Sequence, residues 1–342
     1  MTVLHLLGSP GAGGAETYFV SLAAALARDG LAQAAAIHAN PMRERMLAEA
    51  GVPTRVMPFA APFDFITPWR IARLARETDA KVLLQWMNRA GRCVPRRGPW
   101  TRIGRLGGYY GLKYYRGCEL LVANTEDIRR YIMAEGWPAE RVTYVPNFAT
   151  PGDEPPESRA RLDTPEDAPL LLAMGRLHES KGLDVALKAL ERLPGSYLWI
   201  AGDGPLEAAL KGLAERLGVI SRVRFLGWRN DPSALYRAAD ICVFPSRYEP
   251  LGNTVIQAWA HGVPIVAASS VGPAALIREG EDGLLFQVDH AEGLAAAVGR
   301  LIDDGALRER LSQAGLARVQ GEFAEAPVVA RWREIFAAHG AP

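Results

Sequence analysis

The feature that most constrains the fold is a strand, loop, helix, turn and strand in succession around residues 244–268. The apolar run Ile241–Phe244 is typical of a buried parallel strand. A proline and a glycine then break the chain where a helix is expected to begin. The helix is predicted over Thr254–Ala260, and Gly262 ends it because glycine adopts the left-handed conformation. Pro264–Ala268 is predicted as the next strand, so this stretch indicates a parallel sheet with crossover helices.

The loop before this helix, Glu249-Pro250-Leu251-Gly252-Asn253, has the chemistry of a ligand site. The first N–H groups of a helix have no partner inside it and carry positive potential. Glu249 beside them is an acceptor for hydroxyl groups. N–H donors next to a carboxylate suit a ligand that is both anionic and rich in hydroxyls, such as a sugar nucleotide. The alternative is that Glu249 only caps a helix that begins at Pro250.

The chain has 342 residues, which is enough for two domains, and its net charge of +1 indicates that the molecule as a whole is not a polyelectrolyte binder. Cys93, Cys118 and Cys242 have no CxxC spacing, which indicates a reducing compartment and no zinc site or disulfide framework. The six histidines form no HxxxH pair, so we expect no metal. The apolar start, Met1–Leu7, is too short to span a membrane or to act as a signal peptide, so we expect a cytoplasmic protein.

A glycine-rich loop follows the first predicted strand, Val3–Leu7, and precedes a helix that ends near Arg28. This arrangement predicts a phosphate or sugar cradle at a helix N-terminus. A dinucleotide-binding fold is the alternative, but it needs an acidic residue near the end of the second strand, and Ala35–Asn40 has none. Gly13 and Gly14 in this loop serve either ligand contact or tight packing of the helix on the strand.

Strands and helices then alternate, which predicts an α/β fold with parallel sheets covered by helices. The polar, proline-rich segment Thr150–Ser158 is the predicted domain boundary. The predicted domains are residues 1–150 and 151–324, with a C-terminal helix within residues 325–342 that packs back on the first domain.

The segment Arg89–Arg116 has eight lysines and arginines, no acidic residue and several interleaved aromatic residues. Such a patch suits anionic lipid headgroups or a phosphorylated acceptor, because Tyr and Trp beside Arg favour an interface with one wet side. The alternative is a solvated, partly flexible surface loop. Nucleic acid is the weaker partner, since the patch is short.

The stretch around Glu249 resembles the donor-site signature of retaining GT-B glycosyltransferases of glycosyltransferase family 4, as found in lipopolysaccharide-core enzymes. That signature is Glu-Pro-x-Gly, a second Glu eight residues after the first, and Ala-x-x-x-Gly-x-Pro. The matching residues are Glu249, Pro250, Gly252, Ala258, Gly262 and Pro264. Gln257 replaces the second Glu. Gly13-Gly14-Ala15-Glu16 and the element Gly175-Arg176-Leu177 with Lys181-Gly182 resemble further motifs of that family.

The resemblance implies two Rossmann-like domains that face a central cleft, the GT-B fold, and a metal-independent enzyme that transfers a sugar with retention. It implies that Arg176 and Lys181 bind the donor diphosphate, whose new charge must be stabilised as the sugar bond breaks. It implies that Glu249 contacts the transferred sugar and that Arg229 lies near the nucleotide base. The second Glu holds the ribose hydroxyls in the family; Gln257 has no charge and one acceptor oxygen, which puts donor affinity in doubt.

We therefore expect no cofactor, a UDP-sugar donor with a GDP-sugar as the alternative, and a saccharide or lipid-linked acceptor of the cell envelope. The basic segment Arg89–Arg116 predicts a peripheral location at the inner membrane face as an alternative to the free cytoplasm. Two other functions stay open at this point: a non-catalytic sugar-nucleotide binder, which Gln257 favours, and another GT-B enzyme such as an epimerase or a phosphorylase.

Overall fold

The computed structural model describes residues 2–11, 13–60 and 64–341. The chain divides into two compact units, and each is described by itself. The first unit is Met1–Asn147 together with Glu325–Pro342, and the second is Phe148–Ala324. The proline-rich segment predicted as the domain boundary lies just after this division, inside the second unit.

The first unit contains a seven-stranded parallel sheet with the strand order β3-β2-β1-β4-β5-β6-β7. Its strands are β1 (Thr2–Leu7), β2 (Gln33–Ile37), β3 (Thr54–Val56), β4 (Ala80–Trp86), β5 (Thr101–Leu106), β6 (Leu120–Ala123) and β7 (Val142–Tyr144). Its first helices are α1 (Gly14–Arg28), α2 (Pro41–Glu49), α3 (Ile66–Glu77), α4 (Met87–Cys93) and α5 (Glu126–Ala134). The central strands are buried almost completely, as expected of a parallel sheet covered on both faces.

The second unit contains a six-stranded parallel sheet with the order β10-β9-β8-β11-β12-β13. Its strands are β8 (Leu170–Met174), β9 (Tyr197–Ala201), β10 (Val223–Gly227), β11 (Ile241–Phe244), β12 (Ile265–Ala268) and β13 (Leu284–Phe286). Its helices are α6 (Leu183–Glu191), α7 (Glu207–Arg216), α8 (Pro232–Ala238), α9 (Asn253–Ala260), α10 (Val271–Leu276), α11 (Ala291–Asp303) and α12 (Gly305–Gly321).

The last helix, α13 (Glu325–Ala338), belongs to the first unit. Trp332 and Phe336 on this helix are fully buried and stack with ring centres 5.4 Å apart. Glu325 pairs with Arg28 at the end of α1, with 2.6 Å between Nη2 and Oε1. The C-terminal helix thus completes the core of the unit in which the chain begins.

Each sheet has one point where the strand order reverses, between β1 and β4 in the first unit and between β8 and β11 in the second. In open parallel sheets, ligands bind outside the carboxyl ends of the strands at such points. In the second unit, the loops after β8 and β11 are the two segments that the sequence singled out around Lys181 and Glu249. The topology therefore brings these two motifs to one edge of the sheet.

Arg89–Arg116 is not one surface loop, because it includes the end of helix α4 and the whole of strand β5. β5 pairs with β4 in parallel: Thr101 lies opposite Val82 at one end, and Arg105 lies opposite Trp86 at the other. Two arginines interrupt the apolar pattern of the strand, so the sequence pattern does not indicate it. The aliphatic part of an arginine side chain can be buried while its guanidinium group contacts polar partners. Arg102 donates from Nε to the carbonyl oxygen of Gly117 at 2.7 Å, and Arg105 is buried.

Two of the aromatic residues of this segment do not lie on the surface, as the predicted interface would require. Trp100 and Tyr115 are buried in the core instead of facing solvent. The lack of a side chain at Gly104 on β5 is required here, because a Cβ would lie 2.6 Å from the ring of Tyr115. The cations that remain exposed are Arg89, Arg92, Arg96, Arg97, Lys113 and Arg116.

Candidate active site

The loop after β8 carries Arg176 and Lys181 and is held in place by its neighbours. Leu177 donates its N–H to the carbonyl oxygen of Asp203 at 2.7 Å. Glycine is required at position 204, because its φ is +154° and a Cβ there would lie 2.5 Å from the carbonyl oxygen of Leu177. Arg176 is exposed on this loop, and its guanidinium has no carboxylate partner among the described residues.

The loops after β8 and β11 are in backbone contact. Ser180 accepts hydrogen bonds from the N–H groups of Arg247 at 2.9 Å and Tyr248 at 3.3 Å. Gly182 has a φ of +62°, and any side chain there would overlap the carbonyl oxygen of Pro245. The two loops can approach this closely only because position 182 has no Cβ.

Arg247, for which the sequence predicts no role, stabilises this contact between the two loops. Its guanidinium donates to the carbonyl oxygen of Glu179 at 2.7 Å and pairs with Asp184 at 2.8 Å and Asp289 at 2.5 Å. Asp184 and Asp289 raise its pKa, with the hydrogen bond to Asp184 as the largest cause. No motif in the sequence distinguishes this arginine, since its partners lie 63 and 68 residues before it and 42 residues after it.

Lys181 and Glu249 meet where the two loops touch. Lys181 Nζ lies 2.5 Å from Glu249 Oε2, and the two side chains are 25% and 17% exposed. The same Nζ lies 5.6 Å from the ring centre of Phe244 at the end of β11. Lys181, which is predicted to bind the diphosphate, and Glu249, which is predicted to bind the sugar, are therefore neighbours. Their opposite charges neutralise each other in this structure.

Helix α9 begins beside this pair. It starts at Asn253, one residue earlier than predicted, after Gly252 with a φ of +93°, and no side chain caps it. The alternative in which Pro250 begins the helix is therefore wrong. The Leu251 side chain is buried, so this residue can contact a ligand only through its backbone.

Gln257 lies one turn into α9 on the same face as Asn253. Its carbonyl oxygen accepts from His261, at 3.2 Å from the backbone nitrogen and 2.7 Å from Nδ1. The other ring nitrogen of His261 lies 2.8 Å from Ser233 Oγ. Burial lowers the pKa of His261, so a neutral ring holds the end of this helix in place. The predicted ribose contact of Gln257 stays a prediction.

Arg229 has partners that the sequence did not indicate. Its guanidinium pairs with Asp231 and, at 2.6 Å, with Glu157. Asp231 is the main reason why its pKa lies above the ordinary value. The contact of Arg229 with a nucleotide base stays a prediction.

In the first unit, Gly13 precedes α1 and Gly14 is its first residue. A Cβ at Gly13 would lie 2.9 Å from Glu16 Oε2, at the far end of a flexible side chain. The ligand contact of Gly13 and Gly14 stays a prediction. Ser9 Oγ donates to Glu16, and the buried Arg43 donates to the carbonyl oxygens of Ser9 at 2.9 Å and Gly11 at 2.6 Å. The sequence does not predict that Arg43 stabilises this loop.

Comparison with known proteins identifies the family. The family described as "Glycosyl transferases group 1" matches residues 155–318. The lipopolysaccharide core biosynthesis glycosyltransferase LpsE of Rhizobium meliloti is 37% identical over 328 residues, which cover 95% of this chain and 96% of LpsE. LpsD of the same organism is 35% identical over 339 residues, which cover 98% of each chain. The chain belongs to the group 1 glycosyltransferases.

A solved structure extends the comparison to the fold of this glycosyltransferase. Anabaena Alr3699/HepE, crystallised with UDP and glucose, has a TM-score of 0.86 and 20% identity, and the match covers 99% of this chain and all of that chain. The predicted α/β class and GT-B fold are confirmed by this likeness and by the two parallel sheets.

Two further observations bear on the predicted partners of this glycosyltransferase. Across the described ranges, no three His, Cys, Asp or Glu side chains lie close enough together to hold a metal ion. In the same part of the chain, no helix combines the length and the apolar character needed to cross a bilayer.

The Lys181–Glu249 pair leads to a test. Glu249→Gln removes the carboxylate that occupies Lys181, so we expect binding of a nucleoside diphosphate to be as tight as in the wild type or a few-fold tighter, while sugar transfer is lost. Isothermal titration and product release would measure the two effects. Glu179→Gln, which removes an exposed charge from the same loop, is the control. A loss of nucleoside diphosphate affinity in Glu249→Gln alone would contradict the assignment.

Proposed function

We propose that this glycosyltransferase transfers a sugar from a UDP-sugar to a saccharide or lipid-linked acceptor, with retention and without a metal ion. The observation that carries the proposal is the contact between Lys181 and Glu249 at the reversal point of the second sheet, with the exposed Arg176 on the same loop. A cation for phosphate and a carboxylate for sugar hydroxyls are the two groups that a nucleotide sugar requires.

Each residue has a distinct part in this proposal. Lys181 leaves Glu249 to bind the donor diphosphate as a point charge, and Arg176 binds it through its planar fork. Glu249, released from Lys181, accepts hydrogen bonds from the hydroxyls of the transferred sugar. The N-terminal amides of α9 provide further positive potential, and Gln257 accepts a ribose hydroxyl.

The chemical step needs no protein nucleophile. The bond between the anomeric carbon and the phosphate oxygen breaks, and the acceptor oxygen bonds to that carbon on the same face of the ring. The acceptor proton passes to the departing phosphate oxygen, so the products are the glycoside and UDP. Positioning and charge stabilisation at the leaving group supply the rate enhancement.

The comparisons support the choice of substrates. UDP is the nucleotide bound by HepE, which shares the fold, and this favours UDP over GDP. LpsE and LpsD are named for lipopolysaccharide core biosynthesis, which favours a cell-envelope saccharide as the acceptor. The family relationship favours transfer over the non-catalytic and epimerase alternatives.

A panel of sugar nucleotides tests this function. We expect UDP release from one UDP-sugar to depend on a lipopolysaccharide-core acceptor and to continue in excess EDTA. Arg176→Ala and Lys181→Ala should each lower turnover by about 100- to 1000-fold, because charge stabilisation at the leaving group is lost. Arg161→Ala, at an exposed arginine outside the site, is the control. Full turnover in either site variant, or no release from any donor, would contradict the proposal.

We also propose that the first unit binds an anionic membrane surface. Arg89 and Arg92, two of the exposed cations of Arg89–Arg116, lie on α4. Three exposed apolar residues lie at the start of α3: Phe65, Ile66 and Trp69 are 82%, 56% and 62% exposed. Asp64, just before them, contacts Cys93 at the end of α4 with 3.9 Å between Oδ2 and Sγ. Apolar and aromatic side chains beside arginines suit a headgroup interface.

Vesicle binding tests the membrane proposal. We expect binding to anionic but not to neutral vesicles, with weaker binding as salt rises. Replacing Arg96 and Arg97 together with Ser should weaken binding about 10- to 30-fold, since each cation near the surface adds about 1 kcal/mol. Trp69→Ser should also weaken it, whereas the control Trp228→Ser, at an exposed Trp of the second unit, should not. Equal binding by all variants, or none at low salt, would reject this surface.

A further inference from the structure

Arg105, the penultimate residue of β5, is a buried cation that no carboxylate neutralises. Its side chain is among the buried polar groups at 3% exposure, and none of the described residues forms an ion pair with it. Its guanidinium donates to Asn147 Oδ1 and, at 3.3 Å, to the carbonyl oxygen of Leu106. Its Nε has no hydrogen-bond partner.

Aromatic rings enclose the rest of this guanidinium. Its central carbon lies 5.0 Å from the ring centre of Tyr18 and 5.3 Å from that of Trp86. Such cation–π contacts offset part of the cost of burying a charge, but a buried cation ordinarily also has a counter-ion. Burial lowers the pKa of Arg105, because the buried guanidinium loses its hydration. An anion at this place would remove the imbalance.

Acidic residues of the first unit have other partners. Glu325 pairs with Arg28 at 2.6 Å. Asp127 in α5 accepts hydrogen bonds from Tyr109 and, at 2.9 Å, from Arg130. Glu126 pairs with Arg129 at 3.1 Å. No carboxylate among the described residues pairs with Arg105, so a bound anion is a candidate for its counter-ion.

Gly107 keeps the space in front of two donor nitrogens open. A Cβ at this glycine would lie 3.4 Å from Arg105 Nη1 and 3.6 Å from Asn124 Nδ2. Asn124, directly after β6, is 3% exposed, and its Oδ1 has no hydrogen-bond partner. The N–H groups of Gly107 and Gly108 donate no hydrogen bond to any residue that the structure describes. A guanidinium, a side-chain amide and two backbone amides thus meet at the carboxyl edge of the sheet, where ligands of such sheets bind.

We infer that Arg105, Asn124 and the amides of Gly107 and Gly108 bind an anionic group, a phosphate or a carboxylate, that the acceptor carries. The inference rests on the proposed function only in assigning this group to the acceptor. The anion neutralises Arg105 and orients the acceptor through the donors around Gly107. An acceptor without a charged group lacks this contact.

Thermal unfolding in the presence of inorganic phosphate or acetate tests this site without any donor. Gly107→Ala places a methyl group where the anion's oxygen binds, yet its contacts of 3.4 and 3.6 Å are ordinary and the backbone is not left-handed, so we expect it to fold. Gly111→Ala is the matched control, because Gly111 has a φ of −63° and a Cβ there meets nothing within 4 Å.

We expect one of the two anions, at up to about 50 mM and against chloride of equal ionic strength, to raise the unfolding temperature of the wild type and of Gly111→Ala by about 2–4 °C. Gly107→Ala should respond less. Because anion binding to Arg176 and Lys181 is common to all three proteins, the difference reports the site at Arg105. A response to phosphate alone assigns a phosphate-bearing acceptor, and a response to acetate alone assigns a carboxylate.

A second variant keeps the test decisive if Gly107→Ala unfolds. Asn124→Asp supplies a carboxylate beside Arg105, so it should melt at a higher temperature than the wild type without added anion and should respond less to added anion. Equal responses in the wild type, Gly107→Ala and Asn124→Asp, or no response of the wild type to either anion, would overturn the inference. Because no sugar transfer is measured, failure here is distinct from failure of the proposed function.

Discussion

The candidate site depends on a steric constraint: the loops after β8 and β11 pack so closely that Gly182 has no room for a side chain beside Pro245. This contact brings Lys181 within 2.5 Å of Glu249, although 68 residues separate them in the chain. The reversal of strand order places both loops at the same edge of the sheet, and Arg247 ties them together. A candidate site built in this way is a property of the fold as much as of the motifs.

The partners of the arginines separate structural from functional cations in a chain of nearly zero net charge. The guanidinium groups of Arg43 and Arg222 donate to backbone carbonyl oxygens and so stabilise loops. Arg247 and Arg229 are held by carboxylates. Arg176 has neither kind of partner for its guanidinium among the described residues, and Arg105 has no carboxylate there. We assign the charges of Arg176 and Arg105 to a small ligand, and those of the exposed arginines of Arg89–Arg116 to a membrane surface.

The sequence predicted much of the fold because its parallel strands are continuous apolar runs and its helices end at glycine. The predicted bounds of Ile241–Phe244 are those of strand β11. Strand β5 was missed, since Arg102 and Arg105 interrupt its apolar pattern. The loop around Glu249 could be found from its glycine, proline and carboxylate. The Lys181–Glu249 contact and the burial of Arg105 could not, because both depend on distant segments that only the folded chain brings together.

We propose that Lys181 exchanges its carboxylate partner for the donor diphosphate. A crystal structure with an intact UDP-sugar or a non-hydrolysable analogue measures this directly. We expect Lys181 Nζ at about 2.8 Å from a diphosphate oxygen, and Glu249 apart from Lys181 and hydrogen-bonded to a sugar hydroxyl. A donor bound elsewhere, with Nζ and Oε2 still 2.5 Å apart, would contradict it.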